Sequence, residues 1–325
     1  AHEVRVGSEP EEVGIVDEQV DRGPAAATAA AVAAAAAGEE ARLRAVPSLL
    51  GATPAGAEVG TLVHAVLEGC DFAAPDLEDD LAARVDAERL ARNLDVGDPA
   101  LLVAGLRAAV ESPLGPLAGG RRLRDVARAD RLDELSFELP LVGGDRPAGG
   151  LTVAAVAGVL ARHVPPGDAL AGYAARLADP ALAAALRGYL TGSIDLVLRL
   201  PAPDGTPRFA VVDHKTNWLG PEGEPLSSWH YRPAALAEAM QRAHYPLQAL
   251  LYSVALHRFL RWRLSGYDAE RNLAGVLYLF LRGMSGVGVP LVGDQPCGVF
   301  AWSPPPGLVA ALSDLLDRGT TEAGP

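Results

Sequence analysis

The chain is poor in several residue types, and each shortage narrows its class. Its 325 residues include one lysine, two isoleucines and three asparagines, and 27 of the 28 basic side chains are arginine. Cys70 and Cys297 are too few for a disulfide framework or for a four-cysteine zinc or iron–sulfur site. We interpret the arginine bias as a coding preference that replaced lysine wherever arginine suffices, which makes Lys215 a residue to explain.

Long apolar runs and excess positive charge are also missing. The longest apolar run, residues 25–37, is too short for a membrane span, and an acidic stretch precedes it where a signal peptide would be basic. We therefore expect a cytoplasmic protein. The net charge of −13 disfavours a free-standing, tight nucleic-acid binder. It does not exclude an enzyme whose carboxylates hold metal, or one that receives DNA from a partner.

Composition and periodicity predict the domain organisation. Residues 1–45 are acidic and then alanine-rich, which predicts a disordered tail or linker, and we expect a domain over 46–320 and a short tail over 321–325. Apolar periodicity predicts helices over 59–69, 80–92, 99–112, 152–163, 180–189, 233–241 and 246–263. Strands are predicted over 136–142, 192–200, 208–215 and 273–281, the first at a sheet edge because of Pro140.

Two of these strands form a hairpin with facing carboxylates. Alternation places Asp195 on the same face as Val197, and Asp213 on the same face as Lys215, with Ile194 and Leu196 on the opposite face of their strand. If the chain folds back around the turn at 201–207, Asp195 faces Asp213 with Cβ atoms ~5 Å apart. Repulsion between them favours a hard cation such as Mg²⁺, and Lys215 beside it can orient a water or stabilise phosphate charge. The alternative interpretation is that Asp213 and Lys215 only end a strand in solvent and have no role in catalysis.

Two helices add polar stripes to this hairpin. Gly60, His64 and Glu68 share one face of the first predicted helix, where the glycine allows close approach of a neighbour. Gln248 and Tyr252 lie one turn apart on the last predicted helix. The alternative interpretation of the first stripe is that His64 is a half-buried histidine without a functional role. The alternative for the second is that Tyr252 is a core tyrosine with Gln248 as its neighbour.

Six segments together resemble the C-terminal nuclease domains of the RecB family, which belong to the PD-(D/E)xK superfamily. They are GTLVHAVLEGCDF (60–72), SFELPL (136–141), LTGSIDLVLR (190–199), VVDHKTNWLG (211–220), HYPLQALLYSVALHRFLRWRL (244–264) and GVLYLFLRGM (275–284). The resemblance implies a restriction-endonuclease-like α/β fold, in which helices flank a mixed β-sheet and the N-terminal part is helical. His214 stands where the family usually has tyrosine.

The resemblance also implies roles for individual residues. It makes Lys215 the catalytic lysine beside Asp213 and Asp195. The expected Mg²⁺ ligands are His64, Asp195, Asp213 and the backbone carbonyl of His214, and the expected DNA-proximal or supporting residues are Gln248, Tyr252, Glu138 and Glu68. Mn²⁺ is an expected substitute for Mg²⁺, and Ca²⁺ an expected inhibitor.

Substrate and partners follow from the same resemblance. We expect a DNA nuclease acting on single strands and unwound duplex ends, in degradation of linear DNA and double-strand break repair. The family carries ATP-dependent helicase domains ahead of this one and works with RecC-like and RecD-like subunits, so the chain is expected to be part of a longer polypeptide. We further expect a basic region after residue 240 to border the DNA path: Arg242, Arg258, Arg261, Arg263, Arg271 and Arg282.

Three other classes compete with this interpretation. A catalytically inactive nuclease-like module for binding or structure is the main alternative, although such modules lose the Asp/Asp/Lys set that this sequence retains. An iron–sulfur relative needs four cysteines. A zinc hydrolase would need more histidine ligands than the single candidate His64.

Overall fold

The structure, a computed structural model, describes residues 24–142, 150–182 and 185–319. The chain divides into two compact units, residues 1–41 and residues 42–325, and helix α1 covers Pro24–Arg44. Residues 1–23 of the predicted tail and the predicted tail at 321–325 lie outside the described residues. Leu43 is fully buried beside Val289 and Cys297, so packing in the second unit begins before the predicted domain start at residue 46.

A five-stranded mixed sheet forms the centre of the second unit. The strands of this unit are β1 (Arg131–Pro140), β2 (Tyr189–Pro201), β3 (Pro207–Lys215), β4 (Leu273–Phe280), β5 (Leu291–Val292), β6 (Gln295–Pro296) and β7 (Val299–Trp302). The sheet order is β1-β2-β3-β4-β7, parallel between β3 and β4 and antiparallel elsewhere, while β5 and β6 form a separate small hairpin. The mixed sheet is confirmed, and β1 occupies an edge as Pro140 predicts.

Helices cover both faces of this sheet. The first face carries α2 (Ala57–Gly69), α3 (Leu77–Arg92) and α4 (Pro99–Glu111). The second face carries α5 (Val153–His163), α6 (Tyr173–Leu177), α7 (Pro233–Arg242) and α8 (Tyr245–Arg263); after the short α9 (Ala269–Asn272), α10 (Leu308–Arg318) also packs there. Leu196 and Val212 belong to the first core, Val197 and Val211 to the second. The sheet is thus flanked by helices, as expected. Within the described ranges, no helix is long and apolar enough to cross a bilayer.

The helix predicted over 180–189 is wrong. Pro180–Leu182 forms a single 3-10 turn, Ala185 pairs with Thr152 in an isolated bridge, and β2 begins at Tyr189. Gly188 has a φ of +86°, a left-handed conformation that a continuing helix does not allow. The alanine-rich composition of this segment favoured a helix, but strand pairing took precedence over it.

The predicted hairpin register is confirmed. Pairing runs from Pro201–Pro207 to Leu196–Val212 and ends one residue before Asp195 and Asp213, so direct pairing of the two carboxylates stays a prediction. The predicted strict alternation is wrong at one point, since Ile194 and Leu196 pack into opposite cores. The irregularity lies where β1 contributes Glu134, whose φ is +50°, and a non-glycine residue in this conformation locally twists a strand. Asp195 therefore lies where β2 leaves its regular pleat.

Candidate active site

The candidate site lies where the central strands β2 and β3 carry Asp195 and Asp213. The carboxylate of Asp195 accepts a hydrogen bond from the backbone N–H of His214 at 2.8 Å. On the other side of β3, the parallel strand β4 places Tyr278 beside Asp213. Polar groups from three strands and two helices meet here, at the point where the apolar pattern of the sheet ends.

Helix α2 delivers a histidine to this carboxylate. His64 Nδ1 lies 3.4 Å from Asp195 Oδ2. Burial alone would lower the pKa of His64, but the hydrogen bond and negative charge of Asp195, with a smaller contribution from Asp213, raise it overall. For Asp195, burial alone would raise the pKa, and the contacts with His64 and His214 lower it instead. The pair is therefore set to hold Asp195 as a carboxylate.

Helix α2 approaches β3 closely because of Gly60. A Cβ atom at residue 60 would lie 3.2 Å from Thr216 Oγ1, closer than ordinary van der Waals contact. The stripe of Gly60, His64 and Glu68 is confirmed on one side of α2: the glycine lies against the segment that follows Lys215, and the histidine against Asp195.

Asp213 and Lys215 form the second half of the site. Lys215 Nζ lies 2.5 Å from Asp213 Oδ2, and the two side chains are 13% and 2% exposed. Burial raises the pKa of Asp213 to about 6, and the charge of Asp195 adds to this although Lys215 opposes it. Among the described residues, Asp213 Oδ2 has no polar contact besides that with the Lys215 ammonium. A buried carboxylate left in this condition is stabilised by an added cation.

Lys215 is enclosed by polar and aromatic side chains from α8 and β4. Its ammonium donates to Gln248 Oε1 at 3.3 Å and lies 4.2 Å from the ring centre of Tyr245. Gln248 in turn accepts from the Tyr278 hydroxyl at 3.1 Å and donates to the Tyr252 hydroxyl at 2.9 Å. Gln248 and Tyr252 thus reach the site through Lys215, which confirms the polar stripe predicted for this helix.

An acidic pocket lies on the α2 side of Asp195. It measures about 100 Å³ and includes Glu68, Asp133, Glu134 and Ser193 in its lining. Burial raises the pKa of Glu68, and the adjacent carboxylate of Glu134 raises it further. We name this set of residues, together with His64 and Asp195, the acidic pocket.

The acid that β1 contributes to the pocket is one that sequence reasoning missed. Glu138, the predicted one, pairs with Thr191, four residues along the strand from the position that faces Asp195. Glu134 lies between the pairs Asp133–Leu196 and Leu135–Ile194, which leaves it across from Asp195, and both line the acidic pocket. The predicted strand began at residue 136, whereas β1 begins at Arg131, so Glu134 was not considered. Glu134 could have been found only from the register of β1 on β2, and that register depends on pairing between residues about 60 positions apart in sequence.

The donor set fits a hard divalent cation. Carboxylate oxygens from Asp195 and Asp213, with a nitrogen from His64, are ligands such ions accept in proteins. Asp213 Oδ2, which contacts the Lys215 ammonium, is the oxygen of this residue that a cation would approach. In the described part of the chain no three His, Cys, Asp or Glu side chains converge tightly enough to enclose an ion, and Asp213 contacts Lys215. The carbonyl of His214 as a ligand stays a prediction.

The predicted basic border of the DNA path is wrong for one of its members. Arg282 is only 3% exposed, and its guanidinium hydrogen-bonds backbone carbonyls. Arg258 is half-buried and donates to Ser313. Arg242, Arg261 and Arg263 are exposed on α7 and α8 and stay candidates, as does Arg271.

Comparison with known proteins defines the class. A sequence model of the PD-(D/E)XK nuclease superfamily matches residues 33–295, and the chain belongs to this family. Nucleases of this superfamily use divalent metal ions.

Among curated proteins the chain is similar to the RecBCD enzyme subunit RecB. It is 47% identical to that of Mycolicibacterium smegmatis over 316 residues, which cover 97% of this chain and 27% of the relative. Against the subunit of Mycobacterium tuberculosis the identity is 49%, over 85% of this chain and 25% of the relative. Against the subunit of Escherichia coli the identity is 31%, over 83% of this chain and 20% of the relative. The chain thus spans about a quarter of the length of its curated relatives.

Proposed function

We propose that this chain hydrolyses phosphodiester bonds of DNA with Mg²⁺ as its cofactor. The observation that supports this most is the proximity of Asp195, Asp213 and Lys215: Lys215 contacts Asp213, and the charge of Asp195 acts on it. In metal-assisted hydrolysis of a phosphodiester, two carboxylates can hold the metal and a lysine can stabilise the developing phosphate charge. The acidic pocket beside them adds negative charge on the side where a cation would enter.

His64, Asp195 and Asp213 would hold the metal, which when bound neutralises phosphate charge and activates a water. Lys215, whose ammonium lies beside Asp213, is placed to hold the attacking water or to stabilise the developing phosphate charge. Gln248 and the ring of Tyr245 fix the direction of its ammonium group. Tyr252 orients Gln248 through a hydrogen bond of 2.9 Å.

We further propose that the substrate is DNA in single strands or unwound duplex ends, delivered by other domains. The relatives carry the name of a subunit of the RecBCD enzyme, and this chain spans about a quarter of their length. A chain of net charge −13 binds a polyanion weakly by itself. Helicase domains in the same polypeptide, with RecC-like and RecD-like subunits, would supply the remaining affinity in the cytoplasm.

A metal-dependent cleavage assay tests this proposal. The chain is incubated with end-labelled single-stranded DNA in EDTA, Mg²⁺, Mn²⁺ or Ca²⁺, beside an Asp213→Ala variant. We expect the wild-type chain to cleave DNA with Mg²⁺ and Mn²⁺ and to be inhibited by Ca²⁺. The Asp213→Ala variant should not cleave DNA with any of these ions. Near-wild-type cleavage by Asp213→Ala protein would exclude the proposed site. DNA binding without cleavage under every metal condition would favour the alternative of an inactive nuclease-like module.

A further inference from the structure

Arg282 is a buried charge close to the site that the proposed chemistry does not use. It lies in the 3-10 turn Leu281–Gly283, which directly follows β4, and it is 3% exposed. In the described part of the chain it forms no ion pair with a carboxylate. Burying a guanidinium without an acidic partner is costly unless its N–H groups are all satisfied. Its hydrogen bonds therefore indicate why the residue is there.

All three nitrogens of this guanidinium donate to backbone carbonyls. Nε donates to Thr216 O at 2.9 Å, Nη2 to Pro54 O at 2.8 Å, and Nη1 to Thr53 O at 2.9 Å and also to Leu50 O. Arginine presents five donors in a rigid planar fork, which suits it to fix several acceptors at once. Lysine, with one rotating ammonium group, cannot hold the same set.

These carbonyls belong to the two segments that carry the metal-ligating groups. Thr216 comes directly after Lys215 and three residues after Asp213. Residues 50–54 lead into α2, which begins at Ala57 and carries His64. A Cβ atom at residue 60 would lie 3.2 Å from Thr216 Oγ1, so the same two segments also lie close together. Arg282 thus bridges the helix that supplies the histidine and the strand that supplies the carboxylate.

We propose that Arg282 is a positioning residue that sets the distance between His64 and the carboxylates of Asp195 and Asp213, and thereby the affinity for the metal ion. This inference rests on the proposed function. Groups that orient metal ligands without touching the metal typically change metal affinity 10- to 100-fold when removed. A purely structural arginine would lower stability and leave the affinity unchanged.

The test compares Arg282→Lys with Arg258→Lys. Arg258 is a matched control because it is also partly buried and donates to a backbone carbonyl, that of Ser313 at 2.8 Å, but joins α8 to α10. Mg²⁺ binding is measured by calorimetry and by the Mg²⁺-dependent rise in melting temperature. We expect both variants to melt at lower temperature. Only Arg282→Lys should weaken the Mg²⁺ Kd, by about tenfold or more. A wild-type Kd in folded Arg282→Lys protein would overturn the proposal.

A second pair of variants tests the same junction if Arg282→Lys does not fold. Gly60→Ala places a methyl group 3.2 Å from Thr216 Oγ1, while alanine favours the helix more than glycine does. We expect a folded protein with a Mg²⁺ Kd weakened a few-fold, and recovery in the double variant with Thr216→Ala. An unchanged Kd in Gly60→Ala would contradict the proposal. If the wild type neither binds Mg²⁺ nor cleaves DNA, it is the proposed function that fails.

Discussion

The two sides of the candidate site differ in how their charges are balanced. On the α8 side, the single cation Lys215 is enclosed by Asp213, Gln248 and aromatic rings, and each polar group has a partner. On the α2 side, Glu68 and Glu134 crowd together beside Asp195. Like charges placed together cost folding free energy, and a cation bound from solution would relieve this cost on the α2 side. On the α8 side the cation is the ammonium group of Lys215.

The largest effect is expected from changing the cation of the α8 side. Lys215→Arg keeps the charge, but the planar guanidinium is bulkier than the space between Asp213 and the Tyr245 ring allows, and it does not release a proton at usable pH. We expect the single-turnover rate on single-stranded DNA at saturating Mg²⁺ to fall at least ~10²-fold, with Mg²⁺ binding retained.

The matched control for this change is Arg199→Lys. Arg199 lies on the same strand as Asp195 but is exposed and paired with Asp130. Exchange of the two cationic residue types there should leave the rate unchanged. A Lys215→Arg enzyme within a few-fold of wild type would mean that charge alone matters at this position.

The second effect concerns the stability of the metal-free protein. Because the pKa of Asp213 is raised to about 6, its ionised form disfavours folding. This cost is absent below the unfolded pKa near 4, grows as pH rises, and is complete above about pH 6. Asp213→Asn removes it, so we expect the variant to exceed wild type in free energy of unfolding by up to about 3 kcal/mol at pH 7–8. The difference should vanish near pH 4.

The opposite sign is expected at Asp195, which makes it the control. Its pKa is lowered by His64 and His214, so its ionised form favours folding. Asp195→Asn should therefore be less stable than wild type at pH 7, with the difference shrinking as pH falls below the unfolded pKa near 4. Both variants are compared by urea unfolding in EDTA between pH 4 and 8. Stabilisation by both changes would mean that the two carboxylates share one environment.

Local sequence features predicted the half of the site that depends on local structure. The hairpin register that brings Asp195 and Asp213 near each other follows from one turn, and the placement of His64 from a single helix. Glu134 was missed because its position depends on pairing between strands about 60 residues apart. Arg282 was misjudged as a surface charge because the four carbonyls that bury it come from segments distant in sequence. Those contacts exist only once the tertiary structure forms.

The smallest effect is expected on the α2 side, where Glu134 and Glu138 can be compared on one strand. Glu134 lies opposite Asp195 and against Glu68, in a backbone conformation with φ of +50° that a non-glycine residue rarely adopts. Glu138 is exposed and lies four residues further along, opposite Thr191. If the crowded acids attract the cation, a substitution of Glu134 should change the Mg²⁺ affinity, whereas a substitution of Glu138 should not.

Glu134→Gln should shift Mg²⁺ affinity and metal-free stability in opposite directions. Loss of one exposed charge is worth about 0.3–1 kcal/mol, so we expect the Mg²⁺ Kd to weaken about two- to fivefold. The melting temperature in EDTA should rise slightly, because Glu68 loses a repelling neighbour. Glu138→Gln should change neither quantity. Calorimetric titration gives the Mg²⁺ Kd of both variants, and thermal melts in EDTA give their metal-free stability. Equal effects at residues 134 and 138 would show that the acidic pocket acts only through the overall charge.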